Sequence, residues 1–417
     1  MHITIAALGT RGDVQPYLAL ALGLKQAGHT IRMIAGENFR DWICSYGFEF
    51  AGSGDMEALM HSPDALKWVD SGHNPIKQVV MMRRVFEQNF HLMIDPILDA
   101  VPQTDLFMAG FISEPLVQLV SEKFGTPYMA IPLQPYYATR SSAASLYTLT
   151  QRDSWLNRRA GVATERIMFT INGGTLNKAR RAFDMPSHRF SALRRAVLNR
   201  PRIYGFSPLV VPRPSDWSEQ SHIVGYWFLD QTDWTPPQDL LDFLDSGDPP
   251  VYIGFGSMSG SSPQATFDLS CEALKRVGRR GIISTGWSRA ALDHGDDIYV
   301  LKGAPHSWLF PRMAAVVHHG GAGTTGASLA SGKPTMVIPH FTDQPYWGRR
   351  VHELGVGAKP VPRHALTVEK LARGLLQMTR DTEMIERAAM LGESICAENG
   401  VENAVRLIEC YGKKGLQ

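Results

Sequence analysis

Two runs in the second half of the chain hold residue types that suit phosphate and sugar chemistry. HHGGAGTTG spans His318 to Gly326, and HFTDQPYWG spans His340 to Gly348. The first follows a short apolar stretch, Ala314 to Val317. Its glycines let the backbone approach a ligand closely and expose N–H groups. Its threonines add hydroxyls, and a helix starting there adds the positive end of its dipole. The second run sets a carboxylate beside an amide, Asp343 and Gln344. That pair offers an acceptor and a donor in one place, as sugar hydroxyls require. A phosphate cradle with a hydroxyl-binding pair points to a nucleotide-sugar donor. The competing reading is a glycine-rich β–α turn and a surface loop in an ordinary α/β protein.

Strands must aim these runs. His2 to Leu8 reads as a short strand, apolar enough for a parallel sheet. Gly9-Thr10-Arg11-Gly12 turns the chain, and Pro16 sits early in an apolar-patterned helix, Tyr17 to Ala27, ended by Gly28. Thr30 to Ala35 is the next strand. This β–α–β start is Rossmann-like, but its glycines do not follow GxGxxG, so a dinucleotide fingerprint is missing. Later strands are expected at Asp105–Ala109, Tyr128–Pro132, Tyr204–Phe206 and Ile223–Val224. The expected division is a first domain over 1–225, a linker over 226–240 containing the proline-marked TDWTPPQD, and a second domain over 241–417. The last helix is expected to return to the first domain. In the second domain, strands are expected at Pro250–Phe255, Ile282–Thr285, Tyr299–Leu301, Ala315–His318 and Thr335–Pro339, with helices at Cys271–Gly278, Val368–Met378 and Glu383–Glu398. The expected fold class is α/β, two parallel-sheet domains with a deep cleft between them. Each motif lies just after a strand, where such sheets bind ligands.

Composition narrows the function. The chain has 417 residues, enough for two domains of about 200. Hydrophobic residues make up 44% and charged residues 20%, and the net charge of +2 gives no general case for nucleic acid. No apolar run approaches the ~20 residues needed to span a bilayer. The N-terminus lacks a basic leader and a small-residue cleavage site, which argues against secretion. Cys44, Cys271, Cys396 and Cys410 are scattered and read as free thiols in a reducing compartment. The expected location is therefore cytoplasmic. One segment departs from the balance. Arg152 to Arg202 carries eleven Arg and one Lys against Asp153, Glu165 and Asp184. Trp155, Phe169, Phe183 and Phe190 are interleaved with them. This is either a solvated helical face, the rim of a greasy acceptor pocket, or a patch for transient contact with an anionic membrane surface.

HHGGAGTT, DQPYWGRR, VHELGVG and the N-terminal GTRGDVQPYLALALGLKQAGH resemble the nucleotide-sugar-dependent glycosyltransferases with two facing Rossmann-like domains, the GT-B class. Within that class they are similar to sterol glucosyltransferases and to bacterial enzymes that glycosylate antibiotic aglycones. The matches stand at both ends in the expected order, while 53–213, the acceptor side, matches loosely. The resemblance implies an inverting transfer. Asp13, one residue past Gly12 in the turn after the first strand, is the expected base. Its spacing also allows it to cap the following helix, and both roles can hold together. His319, rather than His318, aligns with the diphosphate-binding histidine. Gly12, Gly321, Gly323, Thr324 and Thr325 join the donor-binding set, with Ser257 of GFGS as a second phosphate contact. Asp343 and Gln344 match the pair that binds donor-sugar hydroxyls, and Trp347 is expected to floor the sugar or acceptor site. Trp287 and the backbone at Ala304 are the expected contacts to the base. Ala327 stands where plant relatives place a ribose-binding glutamate, which leaves uridine and thymidine both open.

No metal and no resident cofactor are expected, because neither donor loop has an Asp-x-Asp run. The expected reaction moves glucose from UDP-glucose to a hydrophobic alcohol, a sterol-like lipid or polyketide aglycone. The runner-up is a dTDP-sugar transferase of natural-product biosynthesis. A nucleotide-sugar-binding partner protein without catalysis is the reading from another class. A monomer or weak dimer is expected.

Overall fold

The computed structural model describes residues 1–54, 75–230, 234–255, 263–284, 295–340 and 342–414. It divides into two units, Met1–Leu229 with Asn399–Gln417, and Asp230–Glu398. In the first unit β1 (His2–Ala6) leads into α1 (Arg11–Gln26) and β2 (Thr30–Ala35). There follow α2 (Arg40–Ser45), β3 (Glu49–Gly52), α3 (Pro75–Ala100), β4 (Leu106–Ala109), α4 (Glu114–Phe124) and β5 (Tyr128–Ala130). The unit continues with α5 (Trp155–Ala182), α6 (Phe190–Leu198), β6 (Arg202–Tyr204) and β7 (Ser221–Ile223). The sheet runs β3-β2-β1-β4-β5-β6-β7, all parallel.

Both faces of this sheet are covered, so its strands are apolar on both sides. Ile3, Ile5, Met33 and Met108 face a core shared with α1. Ala6, Ile34, Phe107 and Ala109 face the other, with Ile94 and Ile97 of α3 and Leu116 of α4. α1 starts six residues before the expected Tyr17, so Pro16 lies inside it rather than at its entry. Polar, half-exposed residues form its first turn, and apolar periodicity could not find them.

The second unit comprises α7 (Gln238–Asp245), β8 (Val251–Gly254), α8 (Pro263–Val277), β9 (Gly281–Ser284), β10 (Ile298–Leu301) and α9 (His306–Leu309). It continues with β11 (Ala315–His318), α10 (Ala322–Ala330), β12 (Thr335–Val337), α11 (Gln344–Glu353), α12 (Val368–Arg380) and α13 (Thr382–Cys396). Its sheet is parallel, in the order β10-β9-β8-β11-β12. The last helix, α14 (Gly400–Lys414), joins the first unit. Ala404, Val405 and Ile408 are buried in the α1 core, and Asn403 Nδ2 donates to Val224 O at 3.1 Å.

The linker is shorter than 226–240. Trp227 and Leu229 are buried in the first unit because this aromatic run packs instead of bridging, and α7 already begins at Gln238 with Leu240 fully buried.

Candidate donor and acceptor sites

Each sheet has one place where strand order reverses, and a crevice forms at the carboxyl ends there. In the first unit it lies between β1 and β4, in the second between β8 and β11. The sequence motifs flank both points.

After β1, Gly9 adopts φ +148°, and a Cβ there would lie 2.3 Å from Asp13 Oδ2. The glycine thus makes room for the carboxylate to fold back over the turn. Asp13 Oδ2 accepts from the Thr10 N–H at 2.9 Å and the Thr10 hydroxyl at 3.1 Å. Asp13 is therefore a helix-capping residue, and it remains half-buried at the crevice edge. Gly12 is exposed, and a Cβ there would make only an ordinary 3.8 Å contact with Thr10 Oγ1. Nothing in the turn itself demands that glycine.

Across the same switch point, α4 begins at Glu114, a residue the sequence reading passed over. Its side chain is buried and accepts hydrogen bonds from Tyr136 Oη at 2.6 Å and from Tyr137 Oη at 2.6 Å. Burial raises its pKa, with Arg202 and the two tyrosines opposing. Tyr17 packs nearby, its hydroxyl donating to Ile131 O at 2.9 Å. Burial, then Asp13, then Glu114 push that phenol's pKa up. The available signal was local: Ser-Glu-Pro, separated by three residues from the end of an apolar strand, is a helix start that places a carboxylate near the strand end.

In the second unit, β11 ends at His318, which is fully buried. Its Nδ1 accepts from the Gly320 N–H at 2.9 Å, so the neutral ring carries its proton on Nε2. Gly320 has φ +96°, and a Cβ there would lie 2.5 Å from Val337 Cγ1 and 3.1 Å from Gln344 O. Only glycine lets the two motif runs close on each other here. Gly321 caps α10, and the His319 ring lies over it, with Nε2 2.7 Å from where a Gly321 Cβ would be. The first helical bond runs from Thr325 N to Gly321 O at 2.9 Å. By helix geometry the N–H groups of Ala322, Gly323 and Thr324 have no intrahelical acceptor, and these residues are partly exposed. Thr325 differs from the expectation: it is fully buried and its hydroxyl donates back to Gly321 O at 2.9 Å.

The adjacent β12 delivers the second run. Gln344 is buried, and its Oε1 accepts from the His340 N–H at 2.7 Å. Asp343 Oδ2 accepts from Trp347 Nε1 at 2.8 Å, and Oδ1 accepts from the Thr342 hydroxyl at 2.9 Å. Burial raises the Asp343 pKa, opposed by those two bonds. Trp347 is fully buried, so it does not floor a binding site; its indole aims the Asp343 carboxylate instead.

The histidines converge. Burial pushes His319 down to about 4, and burial with His319 and Arg363 nearby pushes His340 down to about 4. Burial, then His319 and His306, hold His318 well below its usual value. His319 is thus neutral at pH 7, not cationic. Among the described residues, His318 Nε2, His319 Nδ1 and His340 Nε2 are buried without a hydrogen-bond partner. Ala304, in the turn between β10 and α9, is half-buried against the cluster of Tyr252, Leu301 and Phe310. Ser257 and Trp287 lie outside the described residues. Among the described residues no group of three or more His, Cys, Asp and Glu is placed to hold a metal ion.

The second unit thus sets an open helix start, buried imidazoles and a carboxylate together at the crevice of a parallel sheet. Comparison with known proteins gives the chain a family. Residues 3–118 match the glycosyltransferase family 28 N-terminal domain, and residues 289–409 match the C-terminal domain of erythromycin biosynthesis protein CIII-like proteins. The chain is 34% identical to sterol 3-beta-glucosyltransferase UGT80B1 of Arabidopsis thaliana, over 97% of this chain and 67% of that protein. It is 34% identical to O-mycaminosyltylonolide 6-deoxyallosyltransferase of Streptomyces fradiae, over 98% of this chain and 97% of that one. It spans only 27% of the length of the sterol 3-beta-glucosyltransferase of Cryptococcus neoformans, at 33% identity. Among solved structures, the glycotransferase of kitacinnamycin superposes with TM-score 0.73 at 17% identity, covering 98% of both chains. Glycosyltransferase VinC, solved in complex with dTDP, superposes with TM-score 0.68 at 17% identity, covering all of both chains. The chain belongs to the glycosyltransferase family that includes the sterol glucosyltransferases and the antibiotic glycosyltransferases, and its fold is GT-B.

Proposed function

We propose that this glycosyltransferase moves glucose from UDP-glucose to a hydroxyl of a hydrophobic acceptor, a sterol-like lipid or a polyketide aglycone, with inversion and without a metal. The observation that carries the donor half is the open start of α10 beside buried imidazole nitrogens that lack partners among the described residues. Buried polar groups without partners mark a place where a ligand or water completes the bonding. A diphosphate supplies acceptor oxygens for the N–H groups of Ala322, Gly323 and Thr324, and a helix start favours its charge. His319, neutral, contributes an N–H dipole. Asp343 and Gln344 meet the sugar hydroxyls, with Trp347 holding the carboxylate in place. In the transfer, the acceptor oxygen attacks the anomeric carbon and loses its proton to Asp13. The bond from that carbon to the diphosphate oxygen breaks, and UDP leaves with the electron pair.

The second reading is a dTDP-deoxysugar donor. It is favoured by the Streptomyces fradiae relative, whose name specifies a 6-deoxyallosyl group. Against it, a deoxysugar offers one hydroxyl fewer to the carboxylate–amide pair and forgoes a hydrogen bond there. Incubating the purified chain with UDP-glucose, dTDP-glucose and a panel of sterols and macrolide aglycones, followed by mass spectrometry, separates them. A hexosyl adduct formed from UDP-glucose, undiminished by EDTA, is the expected result. Product from the dTDP donor alone, or a loss restored by magnesium, overturns the reading.

A further inference from the structure

The basic segment is not uniform, and Arg166, Arg181, Arg189 and Arg195 are exposed along it without an acidic partner among the described residues. Arg180 is paired with Glu122, Arg194 with Glu165 and Lys178 with Glu87, and Arg202 is buried over the Tyr137 ring. Those cations belong to the fold. Arg152, Arg158 and Arg159 share the exposed, unpartnered state of the first four and are set apart by their neighbours, the exposed apolar side chains around them. They surround the start of α5, where Trp155 is 52% exposed. The loop before it adds Leu149, 68% exposed, and Tyr147, 46% exposed.

This exposure is imposed by a scaffold. Asn157 is fully buried beneath the loop. Its Oδ1 accepts from the N–H groups of Leu149 at 2.9 Å and Thr150 at 3.0 Å, and its Nδ2 donates to Arg152 O at 3.0 Å. The Ser154 hydroxyl accepts from Leu156 N at 3.2 Å and starts the helix. Asp153, the acid within the stretch, accepts from Ser142 N at 2.9 Å. The Arg159 guanidinium lies 4.6 Å from the Trp155 ring centre. A buried amide therefore fixes a loop whose apolar side chains are held out in water between unpaired arginines. Side chains this exposed enclose no small molecule. Indole, phenol and leucine beside arginine match the boundary between headgroups and acyl chains, and unpaired positive charge matches anionic lipid.

We infer that the loop 147–152 and the first turn of α5 form a docking surface for an anionic lipid bilayer. Trp155, Leu149 and Tyr147 enter the interface, and Arg152, Arg158 and Arg159 lie against the headgroups. The inference does not depend on the donor or acceptor named above. UDP binding, measured calorimetrically on the same samples, reports the donor site separately.

Sedimentation of the whole chain with phosphatidylcholine vesicles, and with vesicles containing phosphatidylglycerol, tests it. Binding to the anionic vesicles should exceed binding to neutral ones by at least about tenfold and weaken with salt. Arg158→Glu with Arg159→Glu should remove that excess, and Trp155→Ser with Leu149→Ser should lower binding at low and high salt alike. Circular dichroism melting confirms that each variant is folded. Brominated lipid should quench tryptophan emission of the unaltered chain, and the conservative Trp155→Phe should abolish most of that quenching. Equal binding to both vesicles, no binding, or binding indifferent to both variant pairs overturns the inference. A dimer seen by ultracentrifugation and lost with Trp155→Ser also overturns it, by giving the face to a second copy.

Discussion

The two glycine turns, one per unit, sit at equivalent switch points and are built to opposite plans. After β1 the turn closes on itself: Gly9 admits the Asp13 carboxylate, which takes both the N–H and the hydroxyl of Thr10. After β11 the turn is left open. Gly320 brings the backbone close to β12 and α11 and Gly321 lies against the His319 ring, so the start of α10 meets a neutral imidazole instead of a capping carboxylate. A capped start presents a carboxylate already held by the backbone. An uncapped start presents N–H groups, suited to receiving an anion. One topology thus yields two electrostatic environments according to whether an acid stands in the first turn.

The largest test separates the two duties of Asp13. Asparagine keeps an oxygen for the Thr10 N–H but cannot take a proton. Asp13→Asn should therefore lower turnover about 10²- to 10⁴-fold with little change in melting temperature. Asp13→Ala should lose turnover and also about 0.5–2 kcal/mol of stability. Turnover of the Asn variant within threefold of the unaltered chain would leave Asp13 as a cap only.

Breaking the open turn comes next. Gly320→Ala sets a Cβ against Val337 and the Gln344 carbonyl in a left-handed conformation. About 2–4 kcal/mol of stability should be lost, and UDP affinity should fall because the two runs no longer close. Thermal unfolding and calorimetry read the two effects. A variant with unchanged melting and binding would refute the proposed closure.

The smallest effect is in pH. His319 and His340 titrate in the folded chain at about 4, below the ordinary histidine value. The unfolded state therefore binds more protons between ~6.5 and about 4. Their stabilisation is complete above the unfolded value and is lost as pH falls through that window. Urea midpoints measured from neutral to mildly acidic pH should drop, and His340→Asn should flatten the drop. Bound UDP should offset part of it, since an anion favours a protonated His319. A midpoint independent of pH across the window would contradict neutral, buried rings.

Much of the fold was legible because parallel strands buried on both faces are short apolar runs ending at glycine or proline. Thr30–Ala35 and Ala315–His318 fall where the pattern places them. β3, Glu49–Gly52, was not found, because EFAG is a half-exposed edge strand with little apolar signal. The start of α1 was set too late, since a polar first turn carries no periodicity. Within the site, residue types marked the glycine turns and the Asp343–Gln344 pair. What each polar atom does depended on neighbours far away in sequence. Trp347 appeared as an exposed platform, yet α11 turns it inward to hold Asp343. Thr325 appeared as a free hydroxyl, yet its own helix takes it up. Glu114 went unnoticed because its tyrosine partners lie more than twenty residues on.

The return of α14 bears on how the chain is made. The core around α1 is finished by Ala404, Val405 and Ile408, and Gly23 is small where Val401 arrives: a Cβ on Gly23 would lie 2.4 Å from Val401 Cγ1. During synthesis, residues 230–398 emerge with every strand and helix of their unit present, and that unit can fold as it leaves the ribosome. The unit that emerges first must wait for its last helix, with a strip of α1 bare for most of translation. The order of birth and the order of completion are therefore reversed, and the half made earliest is the one whose nascent form a chaperone would have to shield.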